Sequence, residues 1–123
     1  MVLVENKNVD EIHVAGRVNV PTDIILRSPG WYIRKIRKLI AAKDLTVVGR
    51  PGSAKFEGGG FTLFIILAES HISLHTWVER GYVHLDVFVC NVTRDNTDRA
   101  RALFDEIAGL FGDGTIKAQE FSR

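Results

Sequence analysis

The sequence predicts an α+β domain, a two-layer sandwich of a mostly antiparallel sheet with two helices on one face. Three observations carry this. Strand-like runs between Phe61 and Cys90 follow one another across links short enough for hairpins. Two segments, near residues 29–42 and 97–111, place apolar residues at helical spacing. The strands also alternate so that one sheet face is aliphatic, ready to be covered by those helices. At 123 residues the chain makes a single domain, 1–123, able to bury roughly two-thirds of its unfolded surface.

The elements follow in order. Residues 1–10 are polar. Residues 11–20 read as a strand, with Gly16 as a bulge candidate. Ser28-Pro29 is a helix start, Ser as N-cap and Pro at the first helical position. The helix runs to about Ala42, with Trp31, Ile36, Leu39 and Ile40 inward and Arg34, Lys35, Arg37 and Lys38 in water. Leu45–Val48 is read as a short strand and 49–60 as a glycine-rich loop. The Gly58-Gly59-Gly60 run lacks both the GxGxxG spacing and the helix that a dinucleotide site requires.

Strands are expected over Phe61–Leu67, His71–Trp77 and Tyr82–Cys90, the last two joined by a turn at Glu79-Arg80-Gly81. Asn96 or Thr97 is expected to cap a second helix that buries Ala100, Leu103, Phe104, Ile107, Leu110 and Phe111. Gly112 and Gly114 end it, and Thr115–Glu120 is a last strand. Ile72, Leu74, Val83, Leu85, Val87 and Val89 fall on the aliphatic face, together with Thr76. His71, Ser73, His75, Trp77, Tyr82, His84, Asp86, Phe88 and Cys90 fall on the other.

Composition narrows the function classes. Apolar residues make up 46% and charged residues 25%, an ordinary globular mix. A net charge of +1 gives no electrostatic case for nucleic acid or an anionic membrane as partner. The longest apolar stretch, Phe61–Ala68, is too short to span a bilayer. Met1–Asp10 lacks a basic segment followed by an apolar run, so no signal peptide is expected. Cys90 is the one cysteine, which excludes an internal disulfide and favours a reducing compartment, the cytosol.

The polar face collects the chemistry. Ser73, His75 and Cys90 lie on neighbouring strands with Ser70 at the strand entrance, a hydroxyl, an imidazole and a thiol suited to nucleophilic or acid–base work. The bland alternatives are a buried Cys acting as a small hydrophobe and hydrogen-bonded structural histidines. Zinc is disfavoured because His71, His75 and Cys90 lack close-paired spacing and a fourth ligand.

Ala68-Glu69-Ser70-His71-Ile72-Ser73-Leu74-His75-Thr76-Trp77, followed by Asp86-Val87-Phe88-Val89-Cys90, resembles the processing and catalytic segment of prokaryotic S-adenosylmethionine decarboxylases. An AESH-like cleavage site, a His five residues after its Ser and a Cys twenty after it all match, and the similarity covers about Phe56 to Phe111. The resemblance implies that the Ser70 hydroxyl attacks the Glu69 carbonyl, helped by Thr62. It implies that His75 takes the serine α-proton, so that the chain separates into 1–69 and 70–123. Ser70 becomes a pyruvoyl group, a ketone that delocalises the carbanion through a Schiff base as pyridoxal phosphate does elsewhere, so neither metal nor pyridoxal phosphate is implied. Cys90 matches the proton donor, Phe56 the residue that stacks on adenine and Glu79 the ribose partner. A homodimer with sites near the subunit contact is implied as well.

Three departures surround the substrate contacts. Val78 and Arg80 stand where the family carries Pro and Tyr, Ala54 stands where it carries His, and Ile12-His13-Val14 lacks its Gly-x-His opening. The expected activity is S-adenosylmethionine decarboxylation for polyamine synthesis. The alternatives are a pyruvoyl-dependent arginine or ornithine decarboxylase of similar processing, and a non-catalytic binding relative.

Overall fold

The alternating pattern of Glu11–Asn19 folds as β1, and Pro29–Ala42 as α1, in a computed structural model that describes residues 10–91, 94–112 and 116–122. β2 (Gly52–Lys55), β3 (Phe61–Leu67), β4 (Ser70–Trp77), β5 (Tyr82–Cys90), α2 (Thr97–Ala108) and β6 (Ile116–Ser122) follow. The six strands form one sheet in the order β2-β3-β4-β5-β1-β6, every neighbouring pair antiparallel. Both helices pack on its aliphatic face, where Ile12, Leu63, Ile65, Ile72, Leu74, Leu85 and Val87 meet Ile36, Ile40, Leu103 and Ile107. Among the described residues the opposite face carries no helix.

Ser28 caps α1 by accepting a hydrogen bond from the Trp31 N–H at 3.2 Å. The inward residue of the first turn is Tyr32 rather than Trp31, which is only half-buried. Tyr32 stacks on Phe111 with ring centroids 4.7 Å apart, and its hydroxyl accepts from the Arg27 N–H. A buried phenol with a polar partner looks like surface to a periodicity reading, which explains the difference.

Three further expectations are corrected. Leu45–Val48 is no strand; Val47 makes one isolated bridge to Leu67. The second strand lies instead at Gly52–Lys55, inside the predicted loop, where it pairs with β3 across a turn at Gly58 and Gly59. Every β2 residue is exposed, so no alternation marks it in the sequence. Gly16 is not a bulge, since β1 keeps unbroken register with β5 and β6 through it. A Cβ there would lie 2.2 Å from the Lys117 carbonyl oxygen, so the glycine admits the close approach of β6.

Cys90 at the end of β5 and Asn96 before α2 meet in space. Asn96 stands at the N-cap position, but its side chain makes no cap bond. Its Nδ2 donates instead to the Cys90 carbonyl at 2.9 Å. α2 ends at Ala108 and continues as one 3-10 turn, Gly109–Phe111. Residues 1–9, Gly114 and Thr115 lie outside the described residues.

Gly16→Ala is expected to destabilise the fold by about 2 kcal/mol through overpacking against β6. Urea unfolding reads this as a lowered midpoint, and an unchanged midpoint would refute the close-packing argument.

Candidate active site

Two clusters stand at opposite ends of β4, the first around Ser70, which shares the helix-side face of its partner Leu67 and of Ile72 and Leu74, the second on the open face. The first is at the β3–β4 turn. Ser70 opens β4 almost fully buried, and its Oγ accepts a hydrogen bond from the Cys90 N–H at 2.9 Å. Cys90 is a free, half-buried thiol whose carbonyl Asn96 holds. Glu69, just before Ser70, has φ 56°, left-handed backbone that a glutamate adopts only at a cost.

The second cluster is at the far end of β4. Thr62 and His75 are directly opposed across β3 and β4, and Thr62 Oγ1 and His75 Nδ1 share a hydrogen bond of 2.9 Å. Phe56, exposed in the β2–β3 turn, and Glu79, exposed in the turn before β5, flank this end.

The structure thus unites Ser70 with Cys90, and Thr62 with His75, but it does not unite the pairs. At about 3.3 Å per residue, the five steps from Ser70 to His75 span about 16 Å of strand. The two also lie on opposite faces of the sheet, Ser70 with the buried Leu67 and His75 with Thr62, so the sequence reading that put Ser70 at the entrance of the polar face is corrected by the register. Ser73, grouped with these residues by alternation, lies between the ends and donates to Asp86 Oδ2 at 3.4 Å.

A row of rings that periodicity did not single out crosses the middle of the face. His71 stacks between Phe64 and Phe88, at 5.2 and 5.3 Å between centroids. His13 meets Phe88 edge-on at 5.8 Å and Phe121 beyond it. Asp86 Oδ1 lies 3.2 Å from His84 Nε2 and 3.7 Å from His13 Nε2. Only strand register reveals this row, because its members come from five strands. Among the described residues, no group of His, Cys, Asp and Glu is arranged to hold a metal ion.

Residues 19–123 match the family model described as S-adenosylmethionine decarboxylase. The chain belongs to that family. It is 45% identical over 110 residues to the S-adenosylmethionine decarboxylase proenzyme of Pyrobaculum islandicum, covering 86% of this chain and 82% of the relative. To the proenzyme of that name from Pyrobaculum aerophilum it is 36% identical over 96 residues, 77% of this chain and 73% of the relative. The crystal structure of the adenosylmethionine decarboxylase from Aquifex aeolicus superposes with a TM-score of 0.74 at 26% identity, covering 94% of this chain and 91% of that one. The family match therefore reaches well before Phe56, where the motif-based resemblance begins.

Burial holds the His71 imidazole below the usual histidine value; the neighbouring His13 pushes the same way and Asp86 opposes it. The folded chain then binds fewer protons at His71 than the unfolded chain once pH drops below about 6.5. This contribution to stability is full above that pH and is lost as pH falls through it. His71→Phe, which keeps a ring between Phe64 and Phe88, is expected to show a smaller drop in Tm from pH 7.5 to 5.5. Equal drops in the two chains would exclude His71 as a source of the acid sensitivity.

Proposed function

We propose that this chain is a self-processing, pyruvoyl-dependent decarboxylase acting on S-adenosylmethionine. The observation that carries this reading is the bond from the Cys90 N–H to Ser70 Oγ, which holds the serine hydroxyl at the Glu69–Ser70 link. The proenzyme names of the Pyrobaculum relatives support it.

In the first step, Ser70 Oγ bonds to the Glu69 carbonyl carbon. The peptide C–N bond breaks, and the hydroxyl proton ends on the freed amine. His75 then takes the α-proton of residue 70, the Cβ–Oγ bond breaks and Glu69 leaves as a carboxylate. The remaining enamine takes up water and loses ammonia, which leaves a pyruvoyl group at the head of 70–123. That ketone, once formed, supplies an electron sink for the carbanion left by loss of carbon dioxide. Ser70 suits the group, since a buried strand entrance excludes water, and Cys90, whose backbone N–H holds the Ser70 hydroxyl, is the candidate thiol proton donor. Phe56 and Glu79 offer an exposed ring and a carboxylate to adenine and ribose.

The separation of the two clusters supports a homodimer. Two sheets facing each other in antiparallel sense would bring Thr62 and His75 of one copy to the end of the other's sheet that carries Cys90 and the Glu69–Ser70 link. The exposed Phe64, Ile66, Trp77 and Phe121 give that face an apolar surface to cover. The sheet order also supports retention of both products: β1, from 1–69, lies between β5 and β6, both from 70–123. Hydrogen bonds along both edges of β1 hold the pieces together after the cut.

Intact mass tests the cut and the shared site together. Ser70→Ala and His75→Ala chains are each expected to stay whole when expressed alone. Co-expressed, the His75→Ala chain is expected to be cut, because its partner supplies His75. If it stays whole in both settings, the shared site is wrong; a wild-type chain that stays whole sinks the enzyme reading.

Carbon dioxide release from S-adenosylmethionine, arginine and ornithine, measured side by side, tests the substrate. Release from S-adenosylmethionine is expected to dominate. Cys90→Ala, cut to at least some degree, is expected to turn over about a hundredfold more slowly. Full turnover would remove Cys90 from the chemistry.

A further inference from the structure

Two described residues other than glycine have positive φ, Asp44 at 58° and Glu69 at 56°. Asp44 has an ordinary reason. It follows the α1 C-cap, its N–H donates to the Ala41 carbonyl and the Leu45 N–H donates to that of Ile40. This is the helix-ending motif that calls for a left-handed residue. Glu69 ends no helix. Its exposed side chain makes no hydrogen bond or ion pair with a described residue, so nothing on the side chain rewards the conformation.

The conformation is imposed from both sides. Leu67 and Ser70 are paired, so Ala68 and Glu69 alone must reverse the chain. Before the turn, the Ala68 N–H donates to the Thr46 carbonyl at 3.3 Å and the Val48 N–H to that of Ile66 at 2.8 Å. After it, the Cys90 N–H grips Ser70 Oγ. A two-residue reversal with positive φ at its second residue matches strand twist poorly, and elsewhere that position favours Gly or Asn. Strained backbone persists where the surroundings over-determine it, as they do here.

We propose that the left-handed Glu69 is a spring for the cut: the fold stores strain at the residue whose carbonyl Ser70 attacks, and ester formation releases it. This rests on the self-cleavage reading. When Ser70 Oγ bonds to the Glu69 carbonyl carbon and the C–N bond breaks, the hydroxyl proton passes to the amine. The connection then runs through Oγ and Cβ in place of N, so the turn gains one atom and Glu69 can rotate back to negative φ. An amide-to-ester exchange, otherwise unfavourable, gains the strain as driving force. Glu69 acts here as a positioning residue through its backbone, independently of its carboxylate.

The test compares Glu69→Ala with Glu69→Gly, two full-length chains that lack the carboxylate and differ by one Cβ. Glycine adopts positive φ without the penalty. The conversion of newly translated chain to its two products is followed by mass, and Glu69→Gly is expected to cut about fivefold more slowly than Glu69→Ala. In the uncuttable Ser70→Ala background the order reverses, and Glu69→Gly is expected to melt above Glu69→Ala because its strain is gone. A role in general folding would move rate and Tm in the same direction. Equal rates, loss of cutting in both variants, or a Glu69→Gly chain that cuts more slowly and also melts lower would overturn the spring. A wild-type chain that does not cut would overturn the self-cleavage reading itself.

Discussion

The register of β3 against β4, closed by the two-residue reversal at Ala68 and Glu69, is what the rest of the molecule depends on. With Leu67 opposite Ser70, Thr62 must fall opposite His75, and through β5 His75 falls opposite His84. A slip of one residue would turn Leu63, Ile65, Ile72 and Leu74 out of the core and bring the histidines in. The aliphatic face therefore specifies the register, and the turn must comply even though a glutamate occupies its left-handed position. The strain and the reactive layout have one origin.

The same sheet keeps the chemistry and the stability in separate layers. All the large aliphatic burial is on the helix side, so cutting the Glu69–Ser70 link removes a turn and leaves the core intact. The position of β1 between β5 and β6 would hold the two proposed products in a single folded body. The open face is free to hold polar and aromatic residues that a covered face would penalise, including four histidines and one carboxylate that touches two of them.

Much of this was legible in the residues. Regular alternation in Tyr82–Cys90 and helical spacing in 97–111 read correctly because burial enforces both periods. β2 did not, because its four exposed residues answer to backbone pairing alone. Tyr32 was missed because its ring is buried through a partner far along the chain, Phe111. Local pattern offers Asn96 or Thr97 as a cap, while the Asn96 amide serves the Cys90 carbonyl, a role no local pattern encodes. The AESH-like motif gave the identities of Ser70, His75 and Cys90 but not their distances.

The sequence by itself determined which residue types face the core, which face the open side, and which motif surrounds the Glu69–Ser70 bond. These are local properties, written in periods of two and 3.6 residues and in short spacings. The tertiary structure alone decided that Ser70 meets Cys90 while His75 meets Thr62 about 16 Å away along the strand. It also decided that Glu69 is wound left-handed. Both follow from strand pairing, which joins residues distant in the chain and constrains a turn from its two sides at once.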